Sequence, residues 1–518
     1  MINPPNDLTT IFLSVPLNLL VLGGALKAKR ISATVIDFNL LLRTKDQDIK
    51  GDDFFPYAID GLERIRCKTF GITSNCANFP IAIILAREIK RKIKKSRVIL
   101  GGPQPTSVAE ETLNAFPEID AIVIGEGDET LPEVLQSRFD PDKLSKIPGI
   151  AFRMDDKVVI TPERPMVSNL DDLPLPDFRL INLKSYDQVQ RDRGWPFLID
   201  IEAGRGCPFS CTFCATSTVW RRKFRVKSPA RILYEMDFLR KAYGFSEFGL
   251  VHDNFTYSKK YLEEFCNYLH RYNNHRHQWQ ISARADSINC NLLDEMSDVG
   301  CMGIFIGVES ASPRMQKLIR KNLSLEDLID TIKHCASKNI SVDLSFILGF
   351  PDETPQEVEA SISLAHKCKL AGGANLFFTI LGPLAGTEIY KKYKDKLILG
   401  KTTSSISSCF LNSSPTIRAY VQDWPDLFSS FYFIPNEHFD DLYLEELITF
   451  YHELVDYLGE TLNILFEVHK FTPLGLFNKW LAWRGRVAPN KPLSYQFVCS
   501  TFKQFLIDEA VNRPSLTA

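Results

Sequence analysis

The sequence predicts an α/β fold in consecutive parts: a doubly wound parallel sheet over residues 1–140, a hairpin and linker at 141–194, a partial (β/α)6 barrel over 195–395 and a mostly helical region over 396–518. Three observations lead there. Short apolar runs alternate with helical periodicity in the first 140 residues, the pattern of a parallel sheet with helices on both faces. The same alternation resumes near residue 195 and gives six strand segments, most of them ending in glycine-containing or polar turns. Beyond residue 396 aromatic residues are plentiful, and 443–458 and 461–471 carry helical spacing.

In the first part, Met1-Ile2-Asn3 reads as the end of a first strand running into Pro4-Pro5, and 16–29 as a helix. The apolar segment 10–24 has no basic residue before it, so a buried helix is expected rather than a targeting or membrane segment. Strands are expected at 33–38, 68–73, 97–100 and 121–124, and helices at 79–95 and 108–116. The last two strands end in Gly101-Gly102-Pro103 and Gly125-Glu126-Gly127-Asp128-Glu129. In such sheets ligands bind beyond the carboxyl ends of the strands, where these turns lie. The basic run 87–97 carries Ile89 and Ile93 at helical spacing, so a solvated helix face is expected there, not a nucleic-acid site. Segment 147–160 reads as a hairpin with Asp155-Asp156 at the turn, and 170–177 as a proline-punctuated linker.

The barrel's first strand, 197–201, delivers Cys207-Pro208-Phe209-Ser210-Cys211-Thr212-Phe213-Cys214. Three cysteines at C-x3-C-x2-C suit an iron–sulfur cluster, because thiolates are soft ligands and a [4Fe–4S] cubane has four irons to ligate. Three ligands leave one iron open to bind a substrate or cofactor. Gly204 and Gly206 allow the tight turn before the first ligand, and Phe213 is placed to cover the cluster. A structural zinc site wants four ligands, usually in two pairs, and no second Cys or His pair lies close by.

At these residues the chain resembles the radical S-adenosylmethionine superfamily, whose signature is C-x3-C-x-aromatic-C. The resemblance implies Cys207, Cys211 and Cys214 as cluster ligands, S-adenosylmethionine on the open iron, and a 5′-deoxyadenosyl radical that abstracts hydrogen from substrate. It also implies a flavodoxin- or ferredoxin-type electron donor. Further segments resemble the family at later strand ends. Asp253-Asn254-Phe255-Thr256 lies where the family meets the S-adenosylmethionine amino group. Gly307-Val308-Glu309-Ser310 resembles G-x-E-S, which hydrogen-bonds ribose or methionyl groups. Gly349-Phe350-Pro351-Asp352-Glu353-Thr354 resembles the G-x-P-x-E-T loop near adenine. Arg284 suits a cofactor carboxylate through its guanidinium fork, or else forms a structural salt bridge. His252 is read as a packed or solvent-facing loop residue.

The first part resembles the cobalamin-binding domain that precedes many radical S-adenosylmethionine enzymes. The resemblance rests on Asn3-Pro4-Pro5, Val35-Ile36-Asp37, the Gly101-Gly102 turn and the Gly125-Glu126-Gly127 turn. It implies cobalamin near these glycines and Glu126. No histidine precedes His252, so a D-x-H-x-x-G cobalt-ligand motif is absent. Many cobalamin-dependent members of the superfamily also lack it; the first strand, read as a stub, and the short domain make a sheet kept as a scaffold without corrinoid the alternative.

Composition is ordinary for a globular chain: 45% hydrophobic, 24% charged and a net charge of −2. Nothing in that balance draws the chain to nucleic acid. Twelve cysteines in 518 residues do not form a disulfide framework, and an oxidisable cluster points to a reducing cytoplasm. Cys335, Cys368 and Cys409 are candidates to donate a hydrogen atom to a substrate radical, with inert buried thiols as the alternative. Cys409 and Cys499 are isolated, and the aromatic residues from Trp424 to Trp483 are expected in a core.

The first functional reading is a cobalamin-dependent C-methyltransferase of natural-product or secondary metabolism, acting on a small molecule or peptide. The second is a corrinoid-free epimerase or cyclase acting on a peptide. The third is a non-catalytic iron–sulfur redox sensor, which would have no need of the strand-end segments.

Overall fold

The computed structural model describes residues 1–6, 13–44, 49, 51–401, 413–487 and 495–512. The first sheet contains β1 (Ile2–Asn3), β2 (Ile36–Asp37), β3 (Thr69–Thr73), β4 (Arg97–Gly101), β5 (Ala121–Val123), β6 (Ile150–Met154) and β7 (Lys157–Ile160). Its spatial order is β2-β1-β3-β4-β5-β6-β7. Strands β1 to β5 are parallel, and the β6–β7 hairpin adds antiparallel to β5. The hairpin turns at Asp155 and Asp156, both at positive φ (49° and 60°), the geometry whose twist matches that of paired strands. β1 is a stub, yet central: Ile2 pairs with both Ile36 and Ile72 and is buried, so two residues suffice to bridge the sheet.

Two expected elements differ. The strand at 33–38 shrinks to Ile36–Asp37, because the Asp37 side chain accepts from Asn39 N and caps a helix starting at Phe38. The helix at 108–116 begins earlier, with Pro103 in the first turn after Gly102, and breaks at Val108 (φ −134°) into Pro103–Ser107 and Ala109–Ala115.

The second sheet is built from β8 (Ile199–Glu202), then, after the short strands β9 (Gly204–Arg205) and β10 (Arg225–Val226), from β11 (Glu247–Val251), β12 (Gln278–Ala283), β13 (Cys301–Glu309), β14 (Ser341–Leu348) and β15 (Asn375–Ile380). All six long strands are parallel, and each lies beside its predecessor in the chain. Among the described residues β8 and β15 do not pair, so the barrel is open on one side, as the six-strand pattern predicts. Alternate strand residues, such as Phe248, Trp279 and Ile304, pack under the helices in one continuous core.

The C-terminal region binds both halves. Ile417, Val421, Leu427, Phe428 and Phe431 join the core of the first sheet, with Phe79 and Phe428 rings 5.4 Å apart. Helix Asp441–Glu467, broken at Leu458 (φ −134°), packs instead in the barrel core with helices Pro473–Val487 and Tyr495–Asn512. Trp480 and Trp483 are buried there, as expected of an aromatic core; Trp424 is 40% exposed and stands outside it. Among the described residues no helix is long and apolar enough to cross a membrane.

Candidate functional site

The cysteine loop leaves β8 and is bracketed by the antiparallel pair β9 and β10. Thr212 N donates to Ile319 O (3.0 Å), Ile389 N to Thr212 O (3.1 Å) and Gly206 N to Asp253 Oδ2 (2.7 Å), so strand ends across the barrel mouth hold the loop. Cys207, Cys211 and Cys214 are half-buried free thiols. Burial raises the Cys211 thiol to about 11, and nearby Lys321 and Arg284 pull the other way. Among the described residues no three His, Cys, Asp or Glu side chains gather around one point. Phe213 packs edge-on against Phe350 (5.9 Å), which shields one side of the loop.

The other strand ends converge here, with differing fates. Asp253 Oδ1 accepts from Thr216 Oγ1 (3.3 Å), and burial raises its carboxyl above the usual range. His252 is a packed residue: Phe224 and Phe255 flank it, its Nδ1 accepts from Asn254 N, and burial lowers it to about 4. Asn254 Nδ2 is a buried donor without a partner among the described residues, a group that a bound molecule would satisfy. Arg284 takes the structural alternative. Its fork binds Asp286 (3.0 and 2.8 Å), and its face lies 4.0 Å over Phe209, beneath the cysteine loop.

Glu309 sits at a register shift in β13 with φ +66°, a position costly for a side-chain-bearing residue, and receives Lys321 Nζ at 2.5 Å. Gly307 makes room for that pair, since a Cβ there would lie 2.5 Å from Glu309 Oε1. Ser310 needs correction: it is fully buried, its hydroxyl accepts from Ser312 N and it lies beside Ser361, so it is spent inside the protein.

In the Gly349–Pro351 turn, Gly349 N donates to Glu353 Oε2 (2.8 Å), and Asn436 Nδ2 binds Phe350 O and Pro351 O. Glu353 is fully buried, and that burial raises its carboxyl to about 8. The folded chain therefore holds a proton that the unfolded chain releases. The resulting stability is complete below the ordinary carboxylate range and is lost as pH rises toward about 8. Glu353→Gln is expected to raise the urea midpoint at pH 8.5 more than at pH 5; equal shifts at both pH values would contradict this.

Cys335 and Cys368 are corrected as hydrogen-atom donors. Both lie in the barrel core under the outer helices, fully buried, with thiols pushed to about 12 by burial. Cys409 lies outside the described residues.

Between the two sheets lies a cleft of about 480 Å³. The Gly101-Gly102 and Gly125-Glu126-Gly127 turns and Leu22 line one wall, while Thr216, Trp220 and Asp253 line the other. Gly102 has φ +107°, and a Cβ there would meet Ser74 O at 2.3 Å, so the turn accepts only glycine. Gly102→Ala is expected to cost about 1–3 kcal/mol of stability, read in urea unfolding, and to weaken any occupant of the cleft. An unchanged midpoint would contradict it.

Glu126 differs from its neighbours. Its Oε1 accepts from Arg205 and Arg225 (2.8 Å each) and its Oε2 from Val167 N (2.7 Å). Arg205 also holds Asp128 (2.8 and 3.0 Å) and Glu202 (2.8 and 3.1 Å). Arg205, Glu126 and Asp128 are all buried, so this cluster locks the first sheet to the strand that launches the cysteines. Sequence reasoning missed it. The only signal was one arginine beside the cysteines and an acidic turn far upstream.

A family model described as the Radical SAM superfamily matches residues 201–365, and one described as the B12 binding domain matches residues 11–135. An uncharacterized methyltransferase of Pyrococcus horikoshii is 32% identical over 62% of this chain and 68% of its own length. An anaerobic magnesium-protoporphyrin IX monomethyl ester cyclase of Cereibacter sphaeroides is 28% identical over 52% of this chain, which spans 44% of that relative. The radical S-adenosylmethionine methyltransferase TsrM of Kitasatospora setae shares the fold, with a TM-score of 0.61 at 17% identity over 83% of this chain and 84% of that one.

Proposed function

Because this chain belongs to the radical S-adenosylmethionine superfamily and carries a B12-binding domain ahead of the barrel, we propose that it is a cobalamin-dependent methyltransferase acting on a carbon of a small molecule or peptide. The observation that carries the reading is the cleft, which sets the glycine turns of the first sheet against the strand ends beside the cysteine loop. The residues present fit the three groups. Cys207, Cys211 and Cys214 would hold the cluster with one iron free; Asp253, Asn254, Glu309 and the Gly349–Pro351 turn would face S-adenosylmethionine; Gly101, Gly102, Gly125 and Gly127 would bed the corrinoid. Bound there, the cluster and S-adenosylmethionine supply a hydrogen-abstracting 5′-deoxyadenosyl radical, and the corrinoid supplies a methyl group. The chain's own work is positioning. Asp253 holds the start of the cysteine loop through Gly206 N, Phe213 and Phe350 keep water from one side, and the Arg205 cluster sets the two halves in register.

A flavodoxin- or ferredoxin-type donor would deliver the electron, in the reducing cytoplasm that an oxidisable thiolate cluster requires. A corrinoid-free epimerase or cyclase is the second reading; the match to a relative named a monomethyl ester cyclase favours its ring-forming chemistry and says nothing of the corrinoid. Anaerobic reconstitution with iron, sulfide and cobalamin, followed by reduction with S-adenosylmethionine, separates them. Stoichiometric cobalamin with both 5′-deoxyadenosine and S-adenosylhomocysteine supports methylation. 5′-Deoxyadenosine from protein that retains no cobalamin supports the second reading, and no cluster at all refutes both.

A further inference from the structure

The interior of the open barrel carries side chains that none of the groups above accounts for. Residues Ile199, Ile201, Phe248, Leu250, Trp279 and Ile281 point outward into the helix-covered core. Strand alternation therefore turns their neighbours Asp200, Gly249 and Gln280 into the barrel. Register places Asp200 beside Gly249, Gly249 beside Gln280, and Gln280 beside Gly303, all on one level. The two glycines make room for these side chains: a Cβ on Gly249 would lie 2.4 Å from Asp200 Oδ1, and one on Gly303 3.3 Å from Gln280 Oε1. Among the described residues the side chains of Asp200 and Gln280 make no hydrogen bond or ion pair. Toward the mouth, Val251 pairs with Glu202, and Phe305 with Ser282 and Asp343. Val251 is 45% and Phe305 41% exposed, so two apolar side chains inside the barrel lack a cover among the described residues.

The charges on this lining have one sign. Among the described residues Asp343 is bound only by the Asn375 amide (2.8 Å). The cations at the mouth are taken, Arg284 by Asp286 and Lys321 by Glu309. Burial without a nearby cation raises the Asp200 carboxyl to about 7 and raises that of Asp343 as well. A positive head group would restore the charge of Asp200, whereas an anionic one would meet like charge in a low-dielectric interior.

We propose that the barrel interior is the substrate site and that it takes an amine: an apolar, ring-bearing body against Phe305 and Val251, with its protonated nitrogen held by Asp200 and Gln280. This rests on the reading of the chain as a radical S-adenosylmethionine enzyme and names the substrate class of that same site. Phosphorylated and carboxylate-headed molecules are excluded from the floor of the barrel.

The test uses the full-length, anaerobically reconstituted protein with 2-phenylethylamine and its near-isosteric anion 3-phenylpropionate as probes, followed by calorimetry. The amine is expected to bind at least about tenfold more tightly than the anion. Asp200→Asn removes that preference, while Phe305→Gln weakens both probes. Should Asp200→Asn fail to fold, Gln280→Leu stands in for it: it keeps the preference and lowers amine affinity severalfold. Equal affinity for the two probes, binding of neither, or amine binding that no variant alters overturns the proposal. Iron, sulfide and 5′-deoxyadenosine are measured on the same samples. A protein that makes the cluster and 5′-deoxyadenosine yet ignores the amine loses only this inference, whereas one without a cluster loses the functional reading.

Discussion

Cys211→Ala is expected to abolish cluster assembly: iron in the reconstituted protein falls from about four to below one per chain, and 5′-deoxyadenosine formation falls below detection. The reason is the ligand count. On the proposed assignment, three thiolates on one loop would be the whole protein contribution to the cluster, and the loop offers no substitute. The fold should survive, since the Cys211 side chain is half-buried and the loop is pinned by backbone bonds at Thr212. Cys335→Ala is the control. It removes a thiol from the packed barrel core, so it should lower stability by roughly 1 kcal/mol and leave iron content unchanged. Full iron incorporation in Cys211→Ala would refute the assignment of the loop.

Arg205→Met is expected to cost about 3–5 kcal/mol in urea unfolding and to lower cobalamin retention sharply. The substitution fills the space but leaves Glu126 and Asp128 buried and Glu202 nearly so, with their main partner gone. Taking carboxylates out of water is tolerable only while a cation answers them. Arg205→Lys should rescue little, because an ammonium cannot reach three carboxylates with a planar fork. Adding Asp128→Asn to Arg205→Met should recover part of the loss by removing one orphaned charge. A change of less than about 1 kcal/mol in Arg205→Met would mean that the cluster is decorative.

Much of the fold and part of the site were legible because the signals were local. Strand and helix patterns gave both sheets and the open barrel, since side-chain periodicity is set within a few residues. The cysteine loop declared itself because a ligand set on one short segment needs no tertiary information. Asp37 shows the limit: its strand ends early because a side-chain cap competes with the ladder, a contest that composition does not reveal. Ser310 and Arg284 show another. Both stand in segments that resemble cofactor contacts, yet one hydroxyl is spent inside the protein and the guanidinium is held by Asp286.

By itself the sequence determined the order of the parts, the parallel strands and the three cysteines that make iron–sulfur chemistry possible. Only the tertiary structure decided what those strand ends face. It set the glycine turns of one sheet across a cleft from the other and brought Arg205 to Glu126 and Asp128. Among the described residues it also left Asp200 and Gln280 unanswered in the barrel. The physical reason is range. Periodicity and ligand spacing act between neighbours in the chain, whereas burial of charge depends on partners some eighty positions away, which only the folded chain brings together.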